Sequence, residues 1–477
     1  MKKKSTIQEI INVSISNLCI VFSGVFVGFI IPKVLGVTEY GYYKIFTLYT
    51  TYVSIFSFGI SEGLYLKYSG TEYEDLDKRG IRFYTRFLSM LQILMSLVVA
   101  IIAVSVLPGE YKYIFVAVAI YMVELNITVY YQYVAQMTMR FKDYSARNLV
   151  KSLFTIISVV LMYLIYRANG KEMLPYKLYV GFVLVISTIL LVMYIYKFRD
   201  ITFGKSLMWK EKKGELLELI KIGVPFVIAS LCATLILSID RQFVSLGFDT
   251  ATYGIYAFAY NMLSLVTVCT SAISTVLYPT LKQSKDGRIS EQYPMLVSYV
   301  AIFIFFALSS YFPLCIVVKY FLPQYMSSLV IFRIVFPGLA FSAVISVVMQ
   351  NYYKLLNKNQ YFFYINLIVL IVSIVTNYVA LIIWRTPQAI SWASIVTLVF
   401  YYVAAERFFV KEFKVVWKKN LLYCSIMAVG FYLITLISNV YFGFVIYAAC
   451  CIGITLFMLK KESLQVIMMV KKKVLKS

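Results

Sequence analysis

Apolar runs of about twenty residues recur from one end of this chain to the other, and no other property restricts its fold so tightly. A helix needs roughly 20 apolar residues to cross a hydrocarbon core about 30 Å thick, and within that core each backbone N–H and C=O must find its partner inside the protein. Of the 477 residues, 61% are hydrophobic and 14% charged, against roughly 45–50% and about 25% in soluble domains. The excess cannot be folded into a water-soluble core, so the expected class is an all-α polytopic membrane protein. Apolar runs between polar or Gly/Pro breaks place spans near 10–35, 43–66, 83–107, 113–138, 149–166, 178–196, 220–246, 253–281, 293–318, 325–353, 361–384, 388–409, 420–438 and 442–459, which makes fourteen transmembrane helices. The first run is too long for a signal-peptide core and carries no small-residue cleavage site, so it is read as a retained span.

The net charge of +23 follows the membrane rather than a nucleic acid. With the N-terminus on the cytoplasmic side, 35 of the 45 Lys and Arg fall in inner loops and tails and eight fall outside, with Arg241 and Arg333 inside spans. This positive-inside asymmetry puts both termini in the cytoplasm and the basic loops against anionic headgroups. No nucleic-acid partner is expected. The chain has no histidine, which removes the commonest general base and metal ligand. Its seven cysteines lie in apolar runs without a C-x-x-C spacing and read as buried thiols. FGKS at 203–206 lacks the first glycine of a phosphate-binding loop, where Arg199 stands. No catalytic residue, metal site or cofactor is expected beyond a coupling Na⁺ or H⁺. Tyrosine is abundant, 42 residues, and its ordinary place in a membrane protein is the interfacial belt.

A polar, tyrosine-flanked phrase occurs twice, VLGVTEYGYYKIF at 34–46 and SLGFDTATYGIYAF at 245–258. Each follows an odd-numbered span, the first and the seventh, and a weaker pair, VAQMTMRFKDY (134–144) and VMQNYYKLLNKNQY (348–361), repeats at a similar offset. Six spans separate the copies. An even number makes the halves parallel, related by a pseudo-twofold along the membrane normal. The resulting division is 1–200, 201–412, and a third part of two further helices and a basic tail at 413–477, the first two being six-helix lobes.

Hydroxyl and amide residues recur at helical spacing in the second span (Thr47, Thr50, Ser54, Ser57, Ser61, Tyr65), the seventh (Ser230, Thr234, Ser238, Arg241, Ser245) and the eighth (Asn261, Ser264, Thr267, Ser271, Ser274, Tyr278). Such stripes serve close helix packing or line a hydrated cavity. The fourth span has Glu124, Thr128, Gln132 and Gln136 at strict i+4 spacing. A charge at mid-membrane costs at least about 2.5–3.5 kcal/mol on insertion scales, so each is a functional candidate. These are Arg241 beside Asp240, Arg333, Lys44 at the start of the second span, and the carboxylates Glu62 and Glu124, either of which could exchange H⁺ or Na⁺ or pair with a neighbour such as Lys67.

The stretch IIPKVLGVTEYGYYKIFTLYTTYVSIFSFGISEGLYLKYSG (30–70), SIDRQFVSLG before YGIY, and LPQYMSSLVIFRIV (322–335) together resemble bacterial polysaccharide flippases of the Wzx type, within the superfamily that also holds MATE antiporters and lipid II flippases. The resemblance covers roughly residues 5–420. It implies a V-shaped pair of lobes around a cationic cavity for the diphosphate of an undecaprenyl-linked oligosaccharide, with Arg241, partnered by Asp240, and Arg333 as the diphosphate ligands. Lys44, Asn261 and Ser238 are expected to face the same cavity, and Glu124 and Glu62 to carry ion coupling. The expected function is non-enzymatic: translocation of a lipid-linked repeat unit from the inner to the outer leaflet of the cytoplasmic membrane for capsule, O-antigen or exopolysaccharide, by gradient-coupled alternating access. Expected partners are the lipid-linked oligosaccharide, membrane lipids, and a polysaccharide polymerase with its assembly proteins. Two rivals are a MATE-like multidrug or metabolite cation antiporter and a membrane enzyme acting on lipid-linked sugars. The short outer loops, without clustered carboxylates, disfavour the enzyme.

Overall fold

The computed structural model describes residues 2–282, 289–414, 418–460 and 462–463. The expected basic segments at 285–288 and beyond 463, and the side chains of Cys269, Ser271 and Tyr278, lie outside the described residues. Among the described residues the secondary structure is helical, without strands. The chain forms two compact units, Met1–Leu235 and Ile236–Ser477.

In the first unit, α1 (Lys2–Thr50) joins the first expected span to the start of the second across one non-helical residue, Gly36, at φ 74 and ψ 179. A positive φ of this kind is readily available only to glycine. The break frees the carbonyl of Val34, which accepts from the Leu174 N–H at 3.0 Å. Glu39 of the repeated phrase accepts from the N–H of Tyr176 at 2.8 Å, the first residue of α6 (Tyr176–Lys197). The first copy of the phrase is thus a helix break whose carboxylate caps another helix. The second copy is built differently: α9 (Ile239–Gly247) ends at its glycine, Phe248 is extended, and Asp249 precedes α10 (Thr250–Lys282).

The second expected span is not one continuous helix. After Thr50 the chain makes a 3-10 turn, Val53–Ser57, passes through left-handed Phe58 and Gly59, and resumes as α2 (Ile60–Tyr68). The carbonyls released by this break are taken up by side chains of α3 (Lys78–Val106) and α4 (Gly109–Met137). Asn126 donates to Val53 O at 3.0 Å and to Gln92 at 2.7 Å, and Gln92 donates to Phe56 O at 2.6 Å. Irregular backbone is tolerated at membrane depth only when its polar groups are satisfied in this way.

Helix α5 (Phe141–Ala168) lies along α1, and α4 packs between α3 and α6. Helix α8 (Trp209–Ile236) crosses α2 so closely that a Cβ on Gly59, Gly63 or Gly223 would overlap the backbone of the other segment. Below that crossing Lys67 pairs with Glu218 (2.7 Å) and Glu215 (3.3 Å), and Lys212 joins Glu215 (2.6 Å) to Asp77 (3.3 Å). Lys67 is therefore committed to α8, and the local Glu62–Lys67 pair is not formed. Between α6 and α8 the short α7 (Arg199–Thr202) docks through Asp200, which accepts from Tyr73 at 2.6 Å and pairs with Lys78 at 3.1 Å.

In the second unit α11 (Ile289–Ala307) and α12 (Tyr311–Phe321) follow α10, and the next span is bent by 46° between α13 (Ser328–Val335) and the run Gly338–Leu355. That run holds a π turn, Val344–Met349, where Asn351 donates to Val347 O at 2.7 Å and to Ser274 at 3.0 Å. Within that run Gly338–Ala343 (α14) precedes the π turn and Gln350–Leu355 (α15) follows it. Helices α16 (Asn359–Ile383) and α17 (Pro387–Phe413) pair, as do α18 (Lys418–Ile434) and α19 (Val440–Met458). Among the described residues ten helices are long and apolar enough to span a membrane, eleven with the bent pair. A count of fourteen further requires that the single candidate Ile15–Ser57 turn at Gly36, and that Thr250–Lys282 and the 17-residue Lys418–Ile434 also cross.

The tyrosines depart from the belt expectation. The largest fully buried side chains are all tyrosines, among them Tyr130, Tyr131, Tyr194, Tyr256, Tyr293 and Tyr353. Tyr131, Tyr194 and Phe198 stack within 12° of parallel, 5.8–6.3 Å apart. Several phenols bring a hydrogen bond into the core: Tyr131 to Thr202 (2.7 Å), Tyr293 to Glu406 (2.6 Å) and Tyr353 to Ala405 O (2.7 Å). A ring with one polar edge can fill a membrane interior where helices must be joined by both contact and hydrogen bonds.

Two measurements test this packing. Gly223→Leu forces α8 from α2 and is expected to cost about 1–3 kcal/mol, read as a lowered unfolding temperature in detergent, whereas Gly214→Ala, whose added Cβ meets open space, leaves it unchanged or higher. Burial raises the carboxyl pKa of Asp200, but Tyr73 and Lys78 outweigh it and hold the pKa below the ordinary value. The folded pKa is depressed, so this stabilisation is present at neutral pH and lost as pH falls through that depressed pKa, below about 4. Asp200→Asn is expected to flatten that acid limb of the stability profile.

Candidate functional site

The first unit encloses a cavity of about 260 Å³ among α1, α4, α5 and α6. Its polar wall is Thr128 and Gln132 from α4, Arg147, Asn148 and Lys151 from α5, and Ser187 from α6. Two of the four residues in the expected i+4 row of the fourth span, Thr128 and Gln132, line the cavity; Glu124 is outside its wall and reaches it through Ser187. Glu124 is 7% exposed, accepts from Thr188 through Oε1 at 2.5 Å and lies beside Ser187. Its Oε2 is buried without a hydrogen-bond partner, as are Thr128 Oγ1 and Arg147 Nε. Orphaned buried polar atoms are costly and rare. Thr128, Arg147 and Tyr194, whose hydroxyl is also without a partner, all line the cavity and mark a space built for polar occupants.

Arg147 was counted among the loop cations, but α5 begins at Phe141, well before the expected start at 149. This places Arg147 inside the helix with its side chain 9% exposed. It donates to Asp143 O (2.7 Å) and Met193 O (3.3 Å), pairs with the Asp143 carboxylate at 3.5 Å, and lies 4.7 Å over the Tyr194 ring. The fork and flat face of a guanidinium suit this double role of bridging α5 to α6 and lining the cavity. A signal was present in the sequence: Asp143, Arg147, Lys151 and Thr155 recur every four residues, continuing the helical period outward from the apolar run.

At the opposite end the cavity closes on Tyr43, Tyr121 and Tyr179, the Tyr43 and Tyr179 rings meeting edge to face at 5.0 Å. Lys44 follows Tyr43 within α1, half-buried, its ammonium 5.2 Å from the Tyr40 ring. It does not open a helix but lies inside the one that resumes after the Gly36 break. Glu62 is buried on α2 with Ser57 Oγ 3.4 Å from its carboxylate, and belongs to the α2 side of α4, near Tyr133.

In the second unit the chain breaks at 237–238, between α8 and α9. Arg241 caps the break, donating from Nη2 to Leu237 O at 2.6 Å. Its guanidinium lies 5.0 Å over the Tyr260 ring and its Nε is 4.0 Å from Asp240. Asp240, 3% exposed, accepts from Tyr256 at 2.9 Å and from the Arg241 N–H at 2.7 Å. Ser238 is buried at the same break, and half-buried Asn261 follows Tyr260 on α10. Arg333, half-buried on α13, lies within electrostatic reach of Tyr311. Sequence reasoning passed over buried Glu406 of α17, held by Tyr293 of α11, because it lies beside cationic Arg407 near a helix end. Of the seven cysteines the six described are free thiols, four of them buried.

Removing the Arg147 guanidinium leaves the Asp143 and Met193 carbonyls without this donor, while the Asp143 carboxylate keeps Arg140 (2.9 Å) and Lys197 (3.2 Å), so Arg147→Met is expected to cost about 1–3 kcal/mol. Arg147→Lys, which lacks the fork, should not restore it. Thermal unfolding of the purified protein checks this, and wild-type stability in the lysine variant would show that charge alone suffices.

The fold is shared with known membrane transporters. A lipid II flippase, MurJ, in an inward closed conformation superposes with a TM-score of 0.66 at 14% identity over 97% of this chain and 100% of that one. The Vibrio cholerae MATE transporter VcmN, in its bent form, superposes with a TM-score of 0.51 at 12% identity over 86% of this chain and 97% of that one. No curated protein matches the sequence. The sequence profile described as "Polysaccharide biosynthesis protein" matches residues 7–285, more than half of the chain. This multi-pass membrane protein belongs to the polysaccharide biosynthesis protein family.

Proposed function

We propose that the protein is a flippase that carries a polyprenyl-diphosphate-linked oligosaccharide from the inner to the outer leaflet of the cytoplasmic membrane, both termini facing the cytoplasm. Membership of a family devoted to building polysaccharide, in a chain made of membrane helices, carries this reading. A sugar polymer assembled on a lipid needs its repeat unit moved across the bilayer, and that step requires a transporter rather than a catalyst. The flippase fold supports it, and the two six-helix lobes read from the repeat supply the moving parts for alternating access.

Arg241 is the diphosphate ligand in this reading. It is about a third exposed, and its backbone-capping contact leaves other guanidinium donors for phosphate oxygens. Arg333, Lys44, Asn261 and Ser238 complete the polar contacts to the cargo. Glu124 couples transport to a proton or Na⁺ gradient, with Glu62 as the second candidate carboxylate. Capsule, O-antigen or exopolysaccharide is the destination, with a polymerase next in line. The MATE-like antiporter reading keeps one specific support: a small polar cavity beside a single buried carboxylate suits cation exchange whatever the cargo.

Transbilayer movement of polyprenyl-diphosphate oligosaccharides in proteoliposomes tests both readings. Arg241→Ala is expected to slow movement about 10- to 100-fold, the equivalent of a charge-assisted hydrogen bond worth about 1.5–3 kcal/mol. Glu124→Gln is expected to leave movement insensitive to an imposed pH or Na⁺ gradient. Cation export in the absence of any lipid-linked sugar movement would favour the antiporter.

A further inference from the structure

Glu124 sits far from either end of its helix, in a bundle that is otherwise tightly packed. A carboxylate that exchanges a proton with one side of a membrane needs a polar route to that side and a barrier on the other. The cavity of the first unit has both features. Tyr179 and Tyr194, which mark its two ends on α6, are fifteen residues apart, about 22 Å of helix axis. Between them Gln132, Thr128 and Ser187 form a run of hydroxyl and amide groups that leads from Arg147 and Lys151 to the Glu124 carboxyl, and the volume admits several water molecules. Beyond Glu124 the wall changes character. Tyr43 and Tyr179, 7% and 2% exposed, meet ring to ring, with Tyr121 beside them.

We propose that the α1/α4/α5/α6 bundle holds a water-filled, dead-end proton passage, open at exposed Lys151, running past buried Arg147 to Ser187 and the Glu124 carboxyl it touches, and sealed beyond by Tyr43, Tyr121 and Tyr179. The inference rests on the gradient-coupled reading above and assigns its route and its seal. The titratable groups facing this space are Tyr43 from α1, Tyr121 from α4 itself, Arg147 and Lys151 from α5, and Tyr179 and Tyr194 from α6. On its other sides α4 meets Thr85 and Gln92 of α3, which are uncharged, and Glu62 of α2, which lies toward Tyr133. No second carboxylate therefore stands in the passage among the described residues. Lys151 at the mouth and Arg147 behind it repel hydronium, so the proton travels by exchange along the waters and hydroxyls.

A dead end carries no steady current until its seal is removed. Proteoliposomes loaded with a pH-sensitive dye and clamped with potassium and valinomycin report passive proton entry without any saccharide, so this readout is independent of the cargo. Wild type is expected to be tight, Tyr43→Ala to leak several-fold faster, and Tyr43→Ala with Glu124→Gln to return to the wild-type rate. A folded Tyr43→Ala without a leak, or a leak that persists in the double variant, overturns the proposal. Tyr179→Ala serves if Tyr43→Ala does not fold. In the unaltered protein, dicyclohexylcarbodiimide gives a second measurement: the protonated carboxyl adds across a C=N bond, its proton passes to nitrogen, and acyl migration leaves a stable N-acylurea. Peptide mass analysis is expected to find this adduct on Glu124, declining as pH rises. Its absence from Glu124 at every pH would refute the passage, whatever the outcome of the saccharide assay.

Discussion

Every interruption of a helix in this protein has to repair itself, because a lipid interior supplies no hydrogen bonds. The architecture follows from where those repairs are made. At Gly36 the loop before α6 takes the free carbonyl of Val34. At 51–59 Asn126 and Gln92 take those of Val53 and Phe56, and at 237–238 Arg241 takes that of Leu237. Each repair ties a broken segment to a neighbouring element, so the breaks that would weaken an isolated helix instead join helices together. The charged and amide residues that look like functional candidates are in several cases the agents of repair, and Arg241 is the clearest instance, with Nη2 capping Leu237 O and Nε turned toward Asp240.

Packing follows two rules that suit the same medium. Where backbones must approach closely, glycine removes the Cβ, as at the crossing of Gly59 and Gly63 with Gly223. Where space must be filled and helices joined, tyrosine provides a large ring with a hydrogen bond at its edge, as in the pairing of Tyr293 with Glu406 or Tyr131 with Thr202. Against this dense background the cavity near Glu124 gathers three buried polar atoms without a partner in its wall, on Thr128, Arg147 and Tyr194. Charge in a membrane protein has a cost, and a carboxylate kept there without a cationic neighbour requires an explanation from function.

Much of this was legible in the residues themselves. The i+4 row of Glu124, Thr128 and Gln132 indicated one face of one helix, and that face meets the cavity. The local pairing of Arg241 with Asp240 was visible from adjacency, and the repeated phrase located two points where the helical path is interrupted. Arg147 escaped notice because its helix extends a full two turns beyond the apolar run, and hydropathy detects where lipid begins rather than where a helix does. Buried tyrosines were taken for interface residues because a ring with a hydroxyl suits either place, and only its neighbours distinguish them.

By itself the sequence determined that the chain must be helical and must lie in a membrane, since apolar runs of spanning length leave the backbone no other way to pair its polar groups. It also determined which helix faces carry polarity, since side-chain direction follows from a 3.6-residue period. Tertiary structure alone decided what those faces meet: that Thr128 and Gln132 share a cavity with Arg147, that Lys67 serves α8 instead of Glu62, and that the phrase at 34–46 caps α6 through Glu39. The physical reason is that a period specifies direction along one helix, whereas a site requires several helices whose breaks, glycines and side-chain caps set their mutual distance.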